Sequence, residues 1–343
     1  MQKLKVVVFV ETLIILGFIG YLVYTDIFNP NSYAESQVSY CSKHFYDSKT
    51  CLISPRIYTG ILKSNNFLIL NFKPLQQDVQ DYLDYNNLTS SVALYVLNLQ
   101  DSVSFGINYS RAFEPASLNK LPIAIVILKK VELGELTLDT LLPIQNIDRD
   151  SRSGTLYNTT LNQMNVKDLL YHMLSESDNT AFRVLEGQVT LKDLQGLSSY
   201  LNYYTKDIDY TTLNNTYQIT PKSTANLFLS LYLSTDLKPE HSEMILSLLT
   251  NTTYDEFDLQ KYASLPSAGL PSSVIVADKY GSYYVGNEKY FHDCGIMYLP
   301  DNRIFYCVMT QGLSKDVASN SIGIIVNKIY NFVIHQKTIP DLN

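Results

Sequence analysis

Residues 113–134 read FEPASLNKLPIAIVILKKVELG. Glu114 and Pro115 stand before the apolar run, Lys129 and Lys130 late in it and Gly134 beyond it. That order of acid, proline, cations and glycine predicts a helix. From Leu121 to Leu128 the run is apolar on every side, so the helix belongs in a core. Ser117 and Lys120 are three positions apart, which places hydroxyl and amine on one helix face. A serine in a first helical turn lies beside free backbone N–H groups and the positive end of the helix dipole, and both favour an oxyanion. A lysine inside an apolar helix is desolvated, which lowers its pKa and makes a neutral, proton-accepting amine accessible.

Working outward, Ser177-Asp178-Asn179 follows in DLLYHMLSESDNTA (residues 168–181), and Lys279-Tyr280-Gly281-Ser282 ends the strand pattern SVIVADKYG. SDN alone is an ordinary helix cap and Lys-Tyr-Gly alone means nothing. The three in this order carry the inference. Ser117 is the only serine with a lysine three residues later.

Around these motifs the chain alternates between two periods. Helical spacing is expected at 74–86, 166–175, 179–187, 220–233 and 322–334, and strand alternation at 91–99, 102–109, 273–281, 291–299 and 303–309. Strands at both ends around a central helical block predict an α+β domain, with an antiparallel sheet from the two ends, covering helices and an all-helical subdomain. The composition agrees, since 46% hydrophobic and 17% charged residues over 343 positions exclude disorder and allow a full core. A net charge of −7 without any Lys/Arg-rich block gives no footprint for nucleic acid.

With these residues in hand, the chain resembles the serine β-lactamases and penicillin-binding proteins, most closely class A β-lactamases, whose motif set is S-x-x-K, S-D-N and K-T-G. The likeness runs from about residue 75 to 335 and includes ITPKSTANL at 219–227. It implies that Ser117 is the acylated nucleophile, Lys120 a proton acceptor and Ser177 the proton relay to the leaving nitrogen. It further implies that Asn179 holds the substrate's amide carbonyl and that Lys279 polarises Ser177 and attracts the substrate carboxylate. The N–H groups of Ser117 and Ser282 would form the oxyanion hole, with Tyr280 and Gly281 on the same binding edge. No cofactor or metal is implied. The substrates implied are β-lactams or the D-alanyl peptides of cell-wall stems.

Two departures bear on activity. Tyr280 stands where the family carries Thr or Ser, and Ser282 is the remaining nearby hydroxyl. Between SDN and ITPKS the family has a Glu-x-x-Leu-Asn loop whose carboxylate activates the deacylating water. Aligning Leu213-Asn214 with that Leu-Asn puts Tyr210 at the carboxylate position, with Asp207 and Asp209 offset from it. Loss of a general base costs about 10²–10⁴ in rate, so slow deacylation is expected. A D,D-carboxypeptidase or transpeptidase, or a non-catalytic cell-wall peptide binder, are the alternatives.

At the amino end, residues 6–24 read VVVFVETLIILGFIGYLVY, with one charge, Glu11. As a helix they would rise about 28 Å, enough to cross a bilayer. Lys3 and Lys5 before and Asp26 after place the tail in the cytoplasm and the rest outside. The expected organisation is a cytoplasmic tip and single-pass anchor over 1–25, a membrane-proximal segment over 26–74 and an extracytoplasmic hydrolase domain over 75–343. Outside the cell two disulfides are expected. Cys41 and Cys51 close a short loop, while pairing Leu299 with Asn302 would set Cys294 opposite Cys307 unless a bulge offsets them.

Overall fold

The computed structural model describes residues 52–53, 70–204, 218–253, 270–271, 273–299 and 302–335. The chain divides into two units, Met1–Asn65 and Asn66–Asn343, and the fold described is that of the second. The expected anchor over 6–24, the Cys41/Cys51 pair and the loop carrying Asp207, Asp209 and Tyr210 lie outside the described residues.

Helix α1 (Lys73–Tyr85) leads into strands β1 (Val92–Asn98) and β2 (Ser104–Ile107). The 3₁₀ turn Ala116–Asn119 then runs into α2 (Lys120–Glu132). A small hairpin-like pair, β3 (Leu141–Pro143) and β4 (Gln163–Asn165), precedes α3 (Val166–Leu174), α4 (Asn179–Glu186) and α5 (Leu191–Leu201). After them come α6 (Pro221–Leu233) and α7 (Pro239–Leu249). Strands β5 (Ile275–Val285), β6 (Glu288–Tyr298) and β7 (Arg303–Gln311) and helix α8 (Lys315–His335) complete the described fold.

The five long strands form one antiparallel sheet in the order β2-β1-β7-β6-β5, so β1 and β2 from one end of the domain pair with strands from the other. Six of the seven residues of β1 are buried, which explains its nearly continuous apolar sequence: the sheet is covered on both faces. On one face Leu75, Val79 and Leu83 of α1 and Ile322, Ile325, Ile329 and Val333 of α8 close a core with Val92, Leu94, Val308 and their neighbours. On the other face lie the helices between residues 120 and 249, where Phe228 of α6 meets Phe305 of β7 at 5.4 Å between ring centroids.

Helix α2 is the spine of that helical layer, with every residue from Lys120 to Leu128 buried. Its neighbours start on side-chain caps. Asn165 accepts from Asp168 N–H, Asp178 from Ala181 N–H, and Thr190 and Thr220 form reciprocal capping boxes with Asp193 and Ser223. Helices α5 and α7 are additions to the expected set.

Leu299 donates its N–H to Asn302 O at 2.9 Å, and Cys294 stands directly opposite Cys307. No bulge intervenes, and the two sulfurs are bonded. The Lys279 motif needs a correction: it does not end its strand but sits in the middle of β5, because pairing with β6 continues without a break from Ile275 to Val285.

Candidate active site

The turn before Ser117 is held from several sides. Phe113 and Ile219 exchange backbone hydrogen bonds at 2.8 and 3.0 Å, and Leu118 N–H reaches Pro115 O at 3.1 Å. Ala116 takes a left-handed backbone, φ +49°, which is strained for a residue with a side chain. Ser117 therefore sits in a 3₁₀ turn feeding α2, one step before the α-helix expected there. The middle of β5, an edge strand of the sheet, packs against this turn. A methyl added at Gly281 would lie 2.9 Å from Pro115 O and 3.2 Å from Ser117 N, so only glycine lets the strand approach the Ser117 N–H this closely.

Ser177 and Asn179 reach the same place from the junction of α3 and α4. Ser177 is buried with φ +55°. Asp178 locks that turn: its Oδ1 accepts from Ala181 N–H at 2.9 Å and its Oδ2 from Leu156 N–H at 2.8 Å. Gly154, at φ +83°, makes room for that carboxylate, since a Cβ there would fall 2.1 Å from Asp178 Oδ2.

At the centre is Lys120, 2% exposed. Its Nζ lies 3.0 Å from Ser117 Oγ, 3.1 Å from Ser177 Oγ, 2.7 Å from Ser177 O and 2.8 Å from Asn179 Oδ1. The carbonyl and the amide oxygen can only accept, whereas the two hydroxyls can donate or accept. A neutral amine can donate to the two acceptor oxygens and turn its lone pair to one of the two hydroxyls. Burial, then the charge of Lys279, push the Lys120 pKa well below that of an ordinary lysine, partly opposed by Asp178 and Asp150.

Lys279 is fully buried on β5, and burial brings its pKa down to about 7, against the pull of Asp278 and Asp293. Its Nζ has no hydrogen-bond partner among the described residues and lies 4.5 Å from the centroid of the Tyr280 ring. The expected contact from Lys279 to Ser177 is thus replaced by a cation–π contact, because the bulky residue in the middle of the motif covers the ammonium. Ser117, Lys120, Asn179, Tyr280 and Ser282 line one cleft of about 680 Å³; Ser177 and Lys279 are buried, and Ser177 Oγ reaches the cleft's Lys120 Nζ at 3.1 Å.

The same cleft is lined by residues that no motif announces: Arg152, Ser153, Phe182, Tyr283, Lys289 and Lys315. His292 also escaped notice. It is fully buried on β6, with its Nε2 2.8 Å from Glu114 O and its ring edge-on to Phe113. A lone histidine in a strand carries no sequence signal for such a task. His172, by contrast, pairs with Glu176 of the same turn at 2.7 Å.

An antiparallel sheet from both ends of a domain, a buried helix presenting hydroxyl and amine, and a serine–asparagine turn meeting that amine define the serine β-lactamase and penicillin-binding class. A family model described as the beta-lactamase enzyme family matches residues 74–333, and the chain belongs to that family. It is similar to beta-lactamase VEB-1 of Pseudomonas aeruginosa, 23% identical over 269 residues that span 72% of this chain and 85% of that protein. Among solved structures it is similar to PBP-A, with 22% identity, a TM-score of 0.64 and coverage of 76% of this chain and 96% of that one. A beta-lactamase from Chitinophaga pinensis superposes with a TM-score of 0.66 at 18% identity, over 76% of this chain and 100% of that one. Likeness to these structures is a likeness of fold.

Proposed function

We propose that the chain is a membrane-anchored, extracytoplasmic serine hydrolase that forms an acyl-enzyme at Ser117 with β-lactams or D-alanyl peptides. The observation that carries this is the set of four short contacts around the buried Lys120 Nζ, which joins Ser117, Ser177 and Asn179 in one network. In the proposed step, Ser117 Oγ attacks the amide carbonyl carbon while its proton passes to neutral Lys120. The C–N bond then breaks as Ser177 delivers a proton to the leaving nitrogen and is reprotonated from Lys120. The N–H groups of Ser117 and Ser282 carry the charge that develops on the carbonyl oxygen, a role supported by the close approach of Gly281 to Ser117 N. Support for β-lactams as substrates also comes from a point mutant of PBP-A, a structural relative at 21% identity, that was captured as an acyl-enzyme complex with penicillin G.

Hydrolysis of the ester is the slow half of the proposed cycle, since the sequence from 205 to 217 has no glutamate. That same feature favours a second reading, a D,D-carboxypeptidase or transpeptidase in which another nucleophile resolves the ester. The apolar segment over 6–24 is the proposed anchor. A fluorescent penicillin tests the acyl-enzyme that both readings share. Label on Ser117 that persists for hours supports the stalled acyl-enzyme, rapid loss of label points to a β-lactamase, and absence of labelling leaves a binding module. Label that survives Ser117→Ala would refute the nucleophile.

A further inference from the structure

The wall of the cleft facing β5 carries an arginine that is held in place before any substrate arrives. The Arg152 side chain is 68% exposed and that of its partner Asp150 is 5% exposed. The Asp150 carboxylate accepts from Arg152 Nε at 2.9 Å and from Arg152 Nη2 at 2.5 Å. It also accepts from Arg183 Nη2 at 2.9 Å. Two guanidinium groups on one buried carboxylate leave a net positive charge, and Nη1 of Arg152 donates to nothing among the described residues. The bracing reaches the active site itself. Asp150 N–H donates to Thr180 Oγ1 at 3.1 Å, and Asn179 N–H to Ser153 O at 3.0 Å, so the segment bearing Arg152 is bolted to the turn bearing Asn179.

The cleft as a whole is cationic. Arg152, Lys289 and Lys315 line it beside the neutral amine of Lys120, with no acidic side chain among the described lining residues, in a chain whose net charge is −7. Lys289 pairs with Tyr284 in the β5–β6 hairpin and Lys315 begins α8, so neither lysine stands beside Lys279, which is opposite Cys294. Arg152 is the cation braced to the turn bearing Asn179, the residue that would hold the amide carbonyl of the acyl group.

We propose that Arg152, positioned by Asp150, is a specificity-determining residue for a second carboxylate on the acyl portion of the substrate, so that dianionic acyl donors are preferred. The inference rests on the acyl-enzyme reading above. A guanidinium held by one edge is pre-organised, so its remaining N–H groups meet a carboxylate at little entropic cost. Carboxylates are the anions that an amino-acid-derived acyl group carries without altering the reacting amide.

Benzylpenicillin and its α-carboxy analogue differ by one carboxylate on the acyl side chain and provide the test. Second-order acylation rate constants of the full chain are measured for both at low and high ionic strength. The carboxylated compound should react about tenfold faster at low salt, as expected for one partly exposed charge-assisted hydrogen bond. That ratio should fall toward one at high salt and in Arg152→Gln, and a thermal melt of the variant checks its fold. Equal rates in the unmodified chain, or a preference that survives both salt and Arg152→Gln, would overturn the proposal. Dissociation constants of the two penicillins for Ser117→Ala give the same ratio without chemistry. If neither compound acylates the unmodified chain, the acyl-enzyme reading falls, and a dissociation-constant ratio near one would remove Arg152 as well.

Discussion

His292 Nε2 lies 2.8 Å from the carbonyl oxygen of Glu114, three residues before Ser117, and its Nδ1 accepts the backbone N–H of Thr310 at 3.3 Å. The two partners together dictate one neutral tautomer, since one nitrogen faces an acceptor and the other a donor. Burial brings the His292 pKa down to about 4 from 6.5. The unfolded chain therefore binds a proton between pH 6.5 and 4 that the folded chain refuses, and stability contributed by this site falls as pH drops through that window, by about 3 kcal/mol. His292→Leu leaves two backbone groups unpaired, at about 1–3 kcal/mol each, and should remove this part of the pH dependence. Urea denaturation of both proteins at pH 7 and pH 4 checks it, and parallel losses of stability would contradict the assignment.

Lys120→Met keeps the length of the side chain and deletes the amine that touches four oxygens. Acylation by a fluorescent penicillin should slow by about 10²–10⁴, the usual contribution of a positioned proton acceptor. In the unmodified chain the acid limb of the acylation rate rises with pH as Lys120 loses its proton. Because burial and Lys279 lower that pKa, the rise should be complete well before an ordinary lysine deprotonates. Stopped-flow labelling across pH reads this directly, and an inflection near 10.5 would rule Lys120 out as the acceptor.

Two glycine substitutions should separate catalysis from stability. In Gly281→Ala the new methyl meets Pro115 O, Ala116 and Ser117 N, so β5 is pushed off the nucleophile and acylation should drop more than tenfold with a smaller change in melting. In Gly154→Ala the methyl collides with the Asp178 carboxylate at a backbone angle of +83°, and the loss should be mainly of stability, about 2 kcal/mol or more. Paired melts and labelling rates compare them, and the reverse pattern would count against both assignments.

Tyr280→Thr takes away the ring that lies over the Lys279 ammonium and supplies a hydroxyl in its place. The uncovered charge should raise the acylation rate for a monoanionic penicillin by roughly tenfold, the value of one charge-assisted hydrogen bond. An unchanged rate in a folded variant would show that Lys279 does not act on the substrate carboxylate.

For deacylation the relevant position is Tyr210, aligned from Leu213-Asn214 in the sequence. Tyr210→Glu should speed loss of the penicilloyl label by about 10² or more if a missing general base is what stalls the ester. Label persistence after a chase with unlabelled penicillin measures it, and an unaltered half-life would place the cause elsewhere.

Much of the fold was legible because its elements carry their own periodicity and caps. The buried α2 announces itself as an all-apolar run, and the Cys294/Cys307 hairpin follows from the register set at Leu299 and Asn302. Helix α7 went unrecognised behind Pro239, and α5 has its only strong signal in the Thr190–Asp193 capping box. Ser117, Lys120, Ser177 and Asn179 were visible because each belongs to a spaced motif. Asp150, Arg152, Phe182 and His292 were not, since each acts through a partner distant in sequence: Arg183, the cleft, Lys120 and Glu114 respectively.

The amino-acid order by itself determined the fold class, the spaced motifs that bear Ser117 and Lys120, and the absence of a glutamate between 205 and 217, because periodicity, caps and short motifs are local properties. Only the tertiary structure decided how the three motif segments meet and what each charge feels. The Lys120 amine is desolvated by burial among four oxygens, Lys279 is covered by its own neighbour Tyr280, and Arg152 is held by an Asp150 carboxylate that also binds Arg183 of α4. Desolvation and hydrogen-bond geometry depend on what packs around a group in three dimensions, and residues adjacent in the chain seldom supply it.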